Sequence, residues 1–207
     1  MVIGYHVIFG AYGFWLPNDP RGSWSTEVWA GHLKPFGGAT KVNTRKSLAG
    51  RKHDHPHRLE AKRQLQYPPV AFNGEQISII ADAFGIAVAD LKLGVFACSI
   101  MPDHVHFVIG RSDCTAEYMA GFFKRAATRR LLAENIHPLR DFRQANGRIP
   151  SPWVVGGWFV YLNAPAEVRS RIRYVEENPV KAGLSPQRWA FVRDYVPKFH
   201  SPRGRGG

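Results

Sequence analysis

The chain has 207 residues, of which 44% are apolar, and a net charge of +12. This length suits one domain with appendages, and the apolar fraction is sufficient for a packed core. No apolar run of about 18 residues is present, which argues against a membrane span. The basic excess favours a polyanionic partner such as nucleic acid over an ordinary basic protein without one.

Cysteine use and the first residues indicate the compartment. Cys98 and Cys114 are the only two cysteines, and they form neither a zinc motif nor a disulfide framework. That usage is typical of a reducing cytoplasm. The apolar start of the chain lacks the preceding basic residues of a signal peptide. We therefore expect a cytoplasmic protein, associated with the nucleoid if its partner is DNA.

The first element is a near-continuous apolar run from Val2 to about Phe14, which predicts a central strand. Residues 17–72 then show little periodicity apart from a short helix at about His57–Gln66. We interpret this long stretch as an inserted basic arm, which either contacts phosphates or is only a solvated loop. Its basic residues are Lys41, Arg45, Lys46, Arg51, Lys52, Arg58, Lys62 and Arg63.

A helix and a hairpin follow the arm. Apolar residues recur at helical spacing over Glu75–Leu91, and Asn73 is suited to cap the N-terminus of that helix. Two apolar runs, Gly94–Ile100 and His104–Ile109, are separated only by a Met-Pro-Asp turn. This arrangement predicts two antiparallel strands.

A second long helix is predicted from about Thr115 to Glu134, with a broad apolar stripe on one side. The rest of its surface carries four cations. These form either an ordinary solvated face or, since no acid lies among them, a face for phosphates. As candidate DNA contacts we take Lys124, Arg125, Arg129 and Arg130.

The last regular elements are a strand and a third helix. Trp153–Leu162 predicts one strand, or two short strands around Gly156 and Gly157. A helix is expected from Ala164 to about Asn178, capped by Asn163 and ended by Pro179. Residues 185–207 are predicted to be a C-terminal extension with one further short element and a disordered basic tail.

The element order is therefore strand, helix, strand, strand, helix, strand, helix. Its first six members match an α+β, ferredoxin-like fold, in which helices cover one face of an antiparallel sheet. We accordingly expect residues 1–184 to form a single domain that includes the basic arm. The third helix is an addition that lies near the sheet.

Two histidines open the second strand of the hairpin. In a strand, positions i and i+2 share a face, so His104 and His106 point the same way and Val105 points to the other. Paired imidazoles are half of a metal site or a means of gripping a phosphate. A His-x-His pattern also arises by chance among nine histidines.

The third helix carries a comparable pair. Tyr174 and Asn178 are separated by about 40° around a helix, and so share a face. A tyrosine hydroxyl can act as a nucleophile, and an amide oxygen can bind a metal. From spacing alone, the alternative is that Tyr174 packs in the core and Asn178 caps the helix end.

Taken together, Met-Pro-Asp-His-Val-His-Phe-Val-Ile at 101–109 and Tyr-Val-Glu-Glu-Asn-Pro-Val-Lys-Ala-Gly-Leu at 174–184 resemble the Y1 (HUH) transposases of the IS200/IS605 type. The branch most similar is that of the REP-associated tyrosine transposases. The resemblance covers roughly Val95 to Leu184 and excludes the arm and the tail. It implies a ferredoxin-like catalytic domain that acts as a DNA transposase.

The resemblance also implies roles for individual residues. His104 and His106 correspond to the metal-binding histidines, Asn178 to a third ligand, and Tyr174 to the nucleophile. The implied cofactor is Mg²⁺ or Mn²⁺, and the implied partners are hairpin-forming single-stranded DNA and a second copy in a homodimer. Apart from the resemblance, three cations of the third helix are candidate DNA contacts that would assist at the phosphate: Arg171, Arg173 and Lys181.

Three interpretations of the whole chain follow. The leading one is a single-strand endonuclease and transesterase that works through a 5′-phosphotyrosine. The others are a nucleic-acid-binding protein of the same fold without cleavage, and a metal phosphodiesterase that uses water. The segment Gly157–Asn163 departs from the family pattern, and its Tyr161 is a rival nucleophile, although it lacks an amide four residues later.

Overall fold

The computed structural model of the chain describes residues 1–19, 27–28, 30–39 and 54–197. The described strands are β1 (Gly4–Gly10), β2 (Val95–Ile100), β3 (His104–Gly110) and β4 (Trp158–Leu162). The described helices are α1 (His55–Arg63), α2 (Gly74–Asp90), α3 (Ala116–Ala133) and α4 (Pro165–Lys181), with a 3-10 turn at Gly31–Phe36.

The four strands form one antiparallel sheet in the order β2-β3-β1-β4. With α2 after β1 and α3 after β3, this connectivity is the ferredoxin-like arrangement, so the predicted fold class is confirmed. The sheet pairs β1 with β3 in its centre. That pairing brings the beginning and the middle of the chain together.

Helices α2 and α3 pack side by side on one face of the sheet, where an aromatic core forms. Phe107 stacks on Phe123 with ring centroids 4.4 Å apart and lies 5.2 Å from Phe84. Strand alternation explains this placement, because Phe9 and Phe107 belong to the residue sets of β1 and β3 that face these helices. Most of the apolar burial of the molecule is on this side.

Helix α4 covers the opposite face of the sheet. It packs on β2, β3 and β4 through a smaller apolar cluster. The third helix thus lies against the sheet, as expected, and it does so on the side away from α2 and α3. The buried members of the cluster are Ala97, Val108, Val160, Leu162, Val168 and Val175.

Both ends of α4 differ from the prediction. Asn163 does not cap the helix: Ala164 occupies the cap position without a side-chain bond, and Glu167 Oε2 accepts the Asn163 N–H at 2.7 Å. Pro179 does not end the helix either, but lies inside its last turn. The helix ends at Lys181, and Gly183 follows its C-cap residue with a φ of 75°, which is the usual left-handed termination.

The first strand is also shorter than predicted. It ends at Gly10, and the chain turns at Gly13, where φ is 84°. Ala11 still forms an isolated bridge with Trp153, which lies outside β4. Residues 153–162 were predicted to form one strand or two short strands, and only Trp158–Leu162 is a strand. The turn at Gly156 (φ 76°) separates it from Trp153.

The segment after α4 runs along the outer edge of β2. The Gln187 side chain donates to Ile100 O and accepts from Ile100 N, both at 2.8 Å. Val192 forms a parallel bridge with Val95. This pairing satisfies backbone groups of an edge strand that would otherwise be open.

Only part of the predicted arm is described. Helix α1 contacts the 3-10 turn, and Arg58 Nη1 lies 3.6 Å from Asp19 Oδ2. The cations from Lys41 to Lys52 and the predicted disordered tail lie outside the described residues. Among the helices that the structure does describe, none is long and apolar enough to cross a membrane.

Candidate functional site

His104 and His106 lie on the α4 side of the sheet, as the strand alternation predicts. Val105 points into the aromatic core and is fully buried, whereas the two imidazole rings lie 4.8 Å apart between centroids. Gly10 pairs with His104 across β1 and β3. Because Gly10 has no side chain, the ring of Phe14 can lie over it and stack on His104 at 4.7 Å.

Each imidazole is held through its Nδ1 atom. His104 Nδ1 lies 2.6 Å from Asp103 Oδ1, and His106 Nδ1 lies 3.1 Å from His6 Nε2. In both rings the remaining nitrogen is Nε2. A second-sphere acceptor on one nitrogen and a metal on the other is the usual arrangement of histidine ligands.

His6 is the residue of this site that sequence reasoning missed. It lies on β1, is 1% exposed, and stacks on His106 with centroids 5.3 Å apart. A single histidine in an apolar strand carries no motif. The ferredoxin-like strand order was the available indication, because it pairs β1 with β3 and so places His6 beside the histidine pair.

The ring of Tyr174, on α4, packs against the imidazoles of His6 and His106. Its centroid is 5.7 Å from that of His106 and 5.9 Å from that of His6, with both contacts edge-on. Tyr161, the rival nucleophile, contacts Tyr5 at 5.7 Å on the opposite face of the sheet. The structure therefore brings Tyr174, and not Tyr161, to the histidines.

Asn178 lies one turn after Tyr174 on α4. Its Nδ2 atom is buried without a hydrogen-bond partner. The two ends of an amide are exchanged by a rotation about Cβ–Cγ, so this orphaned position would suit the amide oxygen facing a cation. Two imidazoles and an amide oxygen form a donor set that a divalent metal can use. No group of three or more His, Cys, Asp or Glu side chains suited to a metal occurs among the described residues.

Burial keeps the inner histidines neutral. Burial, and then the nearby charge of Arg171, lowers the pKa of His6 from 6.5 to about 3. The pKa of His106 is well below its usual value, mainly through burial and then through His104, His6 and Arg171. Neutral imidazoles are the form that binds metals.

The three candidate DNA-contacting cations of α4 occupy different environments. Arg171 Cζ lies 6.0 Å from the centroid of the Tyr174 ring, and so belongs to the site. Arg173 is exposed, and Lys181 pairs with Glu177 at 2.7 Å. Arg171 is thus the cation of this group that lies closest to the predicted chemistry.

The candidate cations of α3 lie on the other side of the sheet from the histidines. Arg125, Arg129 and Arg130 are exposed on this helix, and Arg130 pairs with Glu134 at 3.0 Å. Lys124 points inward: its Nζ donates to the carbonyl oxygens of Val154 and Gly156, and burial lowers its pKa to about 8. That lysine holds the turn before β4. The DNA contacts of these residues stay predictions.

Comparison with known proteins gives similarity at the level of structure. No family model matches the sequence, and no curated protein matches it. One similar solved structure is a REP-associated tyrosine transposase bound to a REP hairpin, with 15% identity and a TM-score of 0.43 over 58% of this chain and 65% of that one. The matched part is thus slightly less than two thirds of that protein.

A second similar structure is that of a protein assigned as a transposase from Deinococcus radiodurans R1. It is 14% identical, with a TM-score of 0.36 over 86% of this chain and 91% of the other. At such identities and TM-scores, similarity does not establish an activity.

Proposed function

We propose that this chain is a metal-dependent tyrosine transposase or nickase that cleaves and rejoins single-stranded DNA, with Tyr174 as its nucleophile. The observation that supports this most is the meeting of Tyr174 with His106 on one face of the sheet, at 5.7 Å between ring centroids. These residues come from α4 and β3, some seventy positions apart. Their convergence favours a shared function over chance motifs.

The proposed metal ligands are Nε2 of His104, Nε2 of His106 and the amide oxygen of Asn178. Asp103 and His6 hold the two rings by their Nδ1 atoms. A bound Mg²⁺ or Mn²⁺ would neutralise and orient the phosphate that is to be cleaved. Hard divalent cations of this kind accept oxygen ligands readily, which suits the amide and the phosphate oxygens.

In the proposed reaction, Tyr174 Oη attacks the phosphorus of a DNA phosphodiester. The bond from phosphorus to the 3′ oxygen breaks, the departing oxygen takes up a proton, and the 5′ phosphate remains on the tyrosine. Attack by a different 3′-hydroxyl reverses the step and joins the strands without ATP. A free phenol has a pKa near 10. Arg171 beside the ring supplies a positive charge for the phosphate that is attacked.

The substrate is proposed to be a hairpin-forming single strand. Cations on both sides of the sheet, on α3 and on α4, suit a substrate that passes around the domain and not a ligand in one pocket. A homodimer remains part of the proposal. Tyr174 lies against His106 of its own chain, which supports assembly of the site within one protomer.

The test uses end-labelled hairpin oligonucleotides with Mn²⁺ and denaturing gels that retain covalent protein–DNA adducts. We expect Tyr174→Phe to abolish the adduct. The matched control is Tyr161→Phe, which removes a hydroxyl from the opposite face of the sheet and should leave adduct formation within about twofold of wild type.

Other outcomes would favour the other two interpretations. Strand cleavage that survives Tyr174→Phe without an adduct indicates a phosphodiesterase that uses water. Hairpin binding without cleavage, in both Mg²⁺ and Mn²⁺, indicates a binding protein. An undiminished adduct in Tyr174→Phe would refute the assignment of this tyrosine.

A further inference from the structure

We infer that His6 is a positioning residue, which accepts a hydrogen bond from Nδ1–H of His106 and so keeps Nε2 of His106 available as a metal ligand. This inference rests on the proposed metal site. It concerns a residue that belongs neither to the His-x-His motif nor to the tyrosine helix. The role depends on geometry and on imidazole tautomers.

The position of His6 is fixed by the sheet. In the register of β1 and β3, Ile8 pairs with His106 and His6 pairs with Val108, so His6 and His106 are diagonal neighbours on one face. Their rings stack with an interplanar angle of 19°, and Nε2 of His6 lies 3.1 Å from Nδ1 of His106. His6 and His106 are 1% and 4% exposed, so water cannot readily replace this contact.

A neutral imidazole carries one proton, and the contact allows two arrangements. If His106 holds its proton on Nδ1, it donates to Nε2 of His6 and presents a lone pair at its own Nε2. If His6 donates instead, the proton of His106 lies on Nε2 and blocks a metal there. Metal binding therefore requires the first arrangement, in which His6 is the acceptor.

The other proposed histidine ligand, His104, is held in the same way by a different partner. Nδ1 of His104 lies 2.6 Å from the carboxylate of Asp103, which is 48% exposed. A carboxylate without a proton can only accept, so it fixes the His104 tautomer by itself. His106 is buried, and a neutral imidazole performs the same task there without adding a buried charge.

Stability does not explain why a histidine occupies this place. Nδ1 of His6 is buried without a hydrogen-bond partner. Burying an unpaired polar nitrogen costs free energy that an aliphatic residue of similar size would avoid. The cost is understandable if Nε2 of His6 is needed to orient a ligand.

The test measures Mn²⁺ affinity without DNA, by calorimetry or by the EPR signal of free Mn²⁺. We expect His6→Phe, which keeps a ring but cannot accept, to weaken binding by about 10- to 100-fold. His6→Gln should recover much of this loss, because its amide oxygen can accept from Nδ1–H. The matched control is His137→Phe, at a buried histidine outside the site, which should bind Mn²⁺ like wild type.

Two comparisons separate this inference from the proposed function. Wild-type affinity in His6→Phe, together with weak binding in His104→Ala, would overturn the role of His6 and leave the metal site standing. Wild-type affinity in His104→Ala would overturn both. If His6→Phe does not fold, the wild-type protein with Zn²⁺ still decides by ¹⁵N NMR. A coupling across the hydrogen bond with the proton on Nδ1 of His106 supports the role, and a proton on Nε2 refutes it.

Discussion

The two faces of the sheet differ in what they bury. The face under α2 and α3 buries phenylalanines, which interlock at centroid distances between 4.4 and 6.3 Å. The face under α4 buries a small aliphatic cluster and, beside it, imidazoles. The first face therefore supplies most of the apolar stabilisation. The second face buries polar groups, which add little stability but can take part in a reaction.

Several unpaired polar atoms lie on the second face. His6 Nδ1, Ser99 Oγ and Asn178 Nδ2 are all buried without hydrogen-bond partners, and all lie on α4 or on the strands beneath it. Such groups are expensive in a folded protein. His6 contacts the ring of Tyr174, and Asn178 lies one helical turn after it.

The buried His6 under α4 predicts a contribution to acid sensitivity from this face. The pKa of His6 is about 3 in the folded protein, against 6.5 when unfolded. Between these values the unfolded state binds a proton that the folded state does not, so stability is complete above pH 6.5 and falls as the pH is lowered. From pH 7 to 5 the metal-free protein should lose roughly 2 kcal/mol through His6, and His106, whose pKa is also lowered by burial, acts in the same direction.

Urea unfolding at pH 7, 6 and 5 measures this loss. In His6→Phe the loss between pH 7 and 5 should be smaller by about 2 kcal/mol, because one titrating group is gone. Equal losses in wild type and His6→Phe would mean that His6 is protonated in the folded state. That result would contradict the burial that the structure gives to this ring.

Truncation of one apolar side chain on each face measures directly how much each face contributes to the free energy of unfolding. Phe107→Ala removes a ring that stacks on Phe123 and contacts Phe84, and should lower the free energy of unfolding by about 3–5 kcal/mol. Val175→Ala, under α4, should cost only about 1–3 kcal/mol. Urea unfolding at pH 7 compares them, and equal costs would show that α4 is as important to stability as the aromatic core.

Sequence patterns predicted what is local. Strand alternation placed His104 and His106 on one face, and helical spacing placed Tyr174 and Asn178 together, because both rules act within a few residues. The ferredoxin-like fold followed from element order in the same way. These predictions needed no knowledge of which distant residues meet.

What depends on distant pairing could not be predicted in this way. His6 joins the site only through the register of β1 with β3. Lys124 looked like a surface cation, and its inward direction depends on carbonyl groups thirty residues later in the chain. The predicted end of α4 was also wrong, because Gly183, and not Pro179, supplies the conformation that terminates the helix.

Arg171 allows a test of whether the α4 face carries out the reaction, because a second arginine on the same helix can serve as its control. Its guanidinium lies 6.0 Å from the centre of the Tyr174 ring, and its charge reaches both His6 and His106. If the α4 face performs phosphoryl transfer, this cation stabilises the negative charge of the reacting phosphate. We expect Arg171→Ala to slow adduct formation by about 10- to 100-fold, which is roughly 1.4–2.7 kcal/mol.

The control is Arg173→Ala, two residues away on α4. Arg173 is exposed and its charge acts on Glu177, so its loss should change the single-turnover rate by less than about threefold. Both variants lose one positive charge, and therefore weaken long-range attraction to DNA to a similar extent. A rate that falls equally in the two would assign Arg171 to general DNA attraction, whereas a selective fall places it at the reacting phosphate.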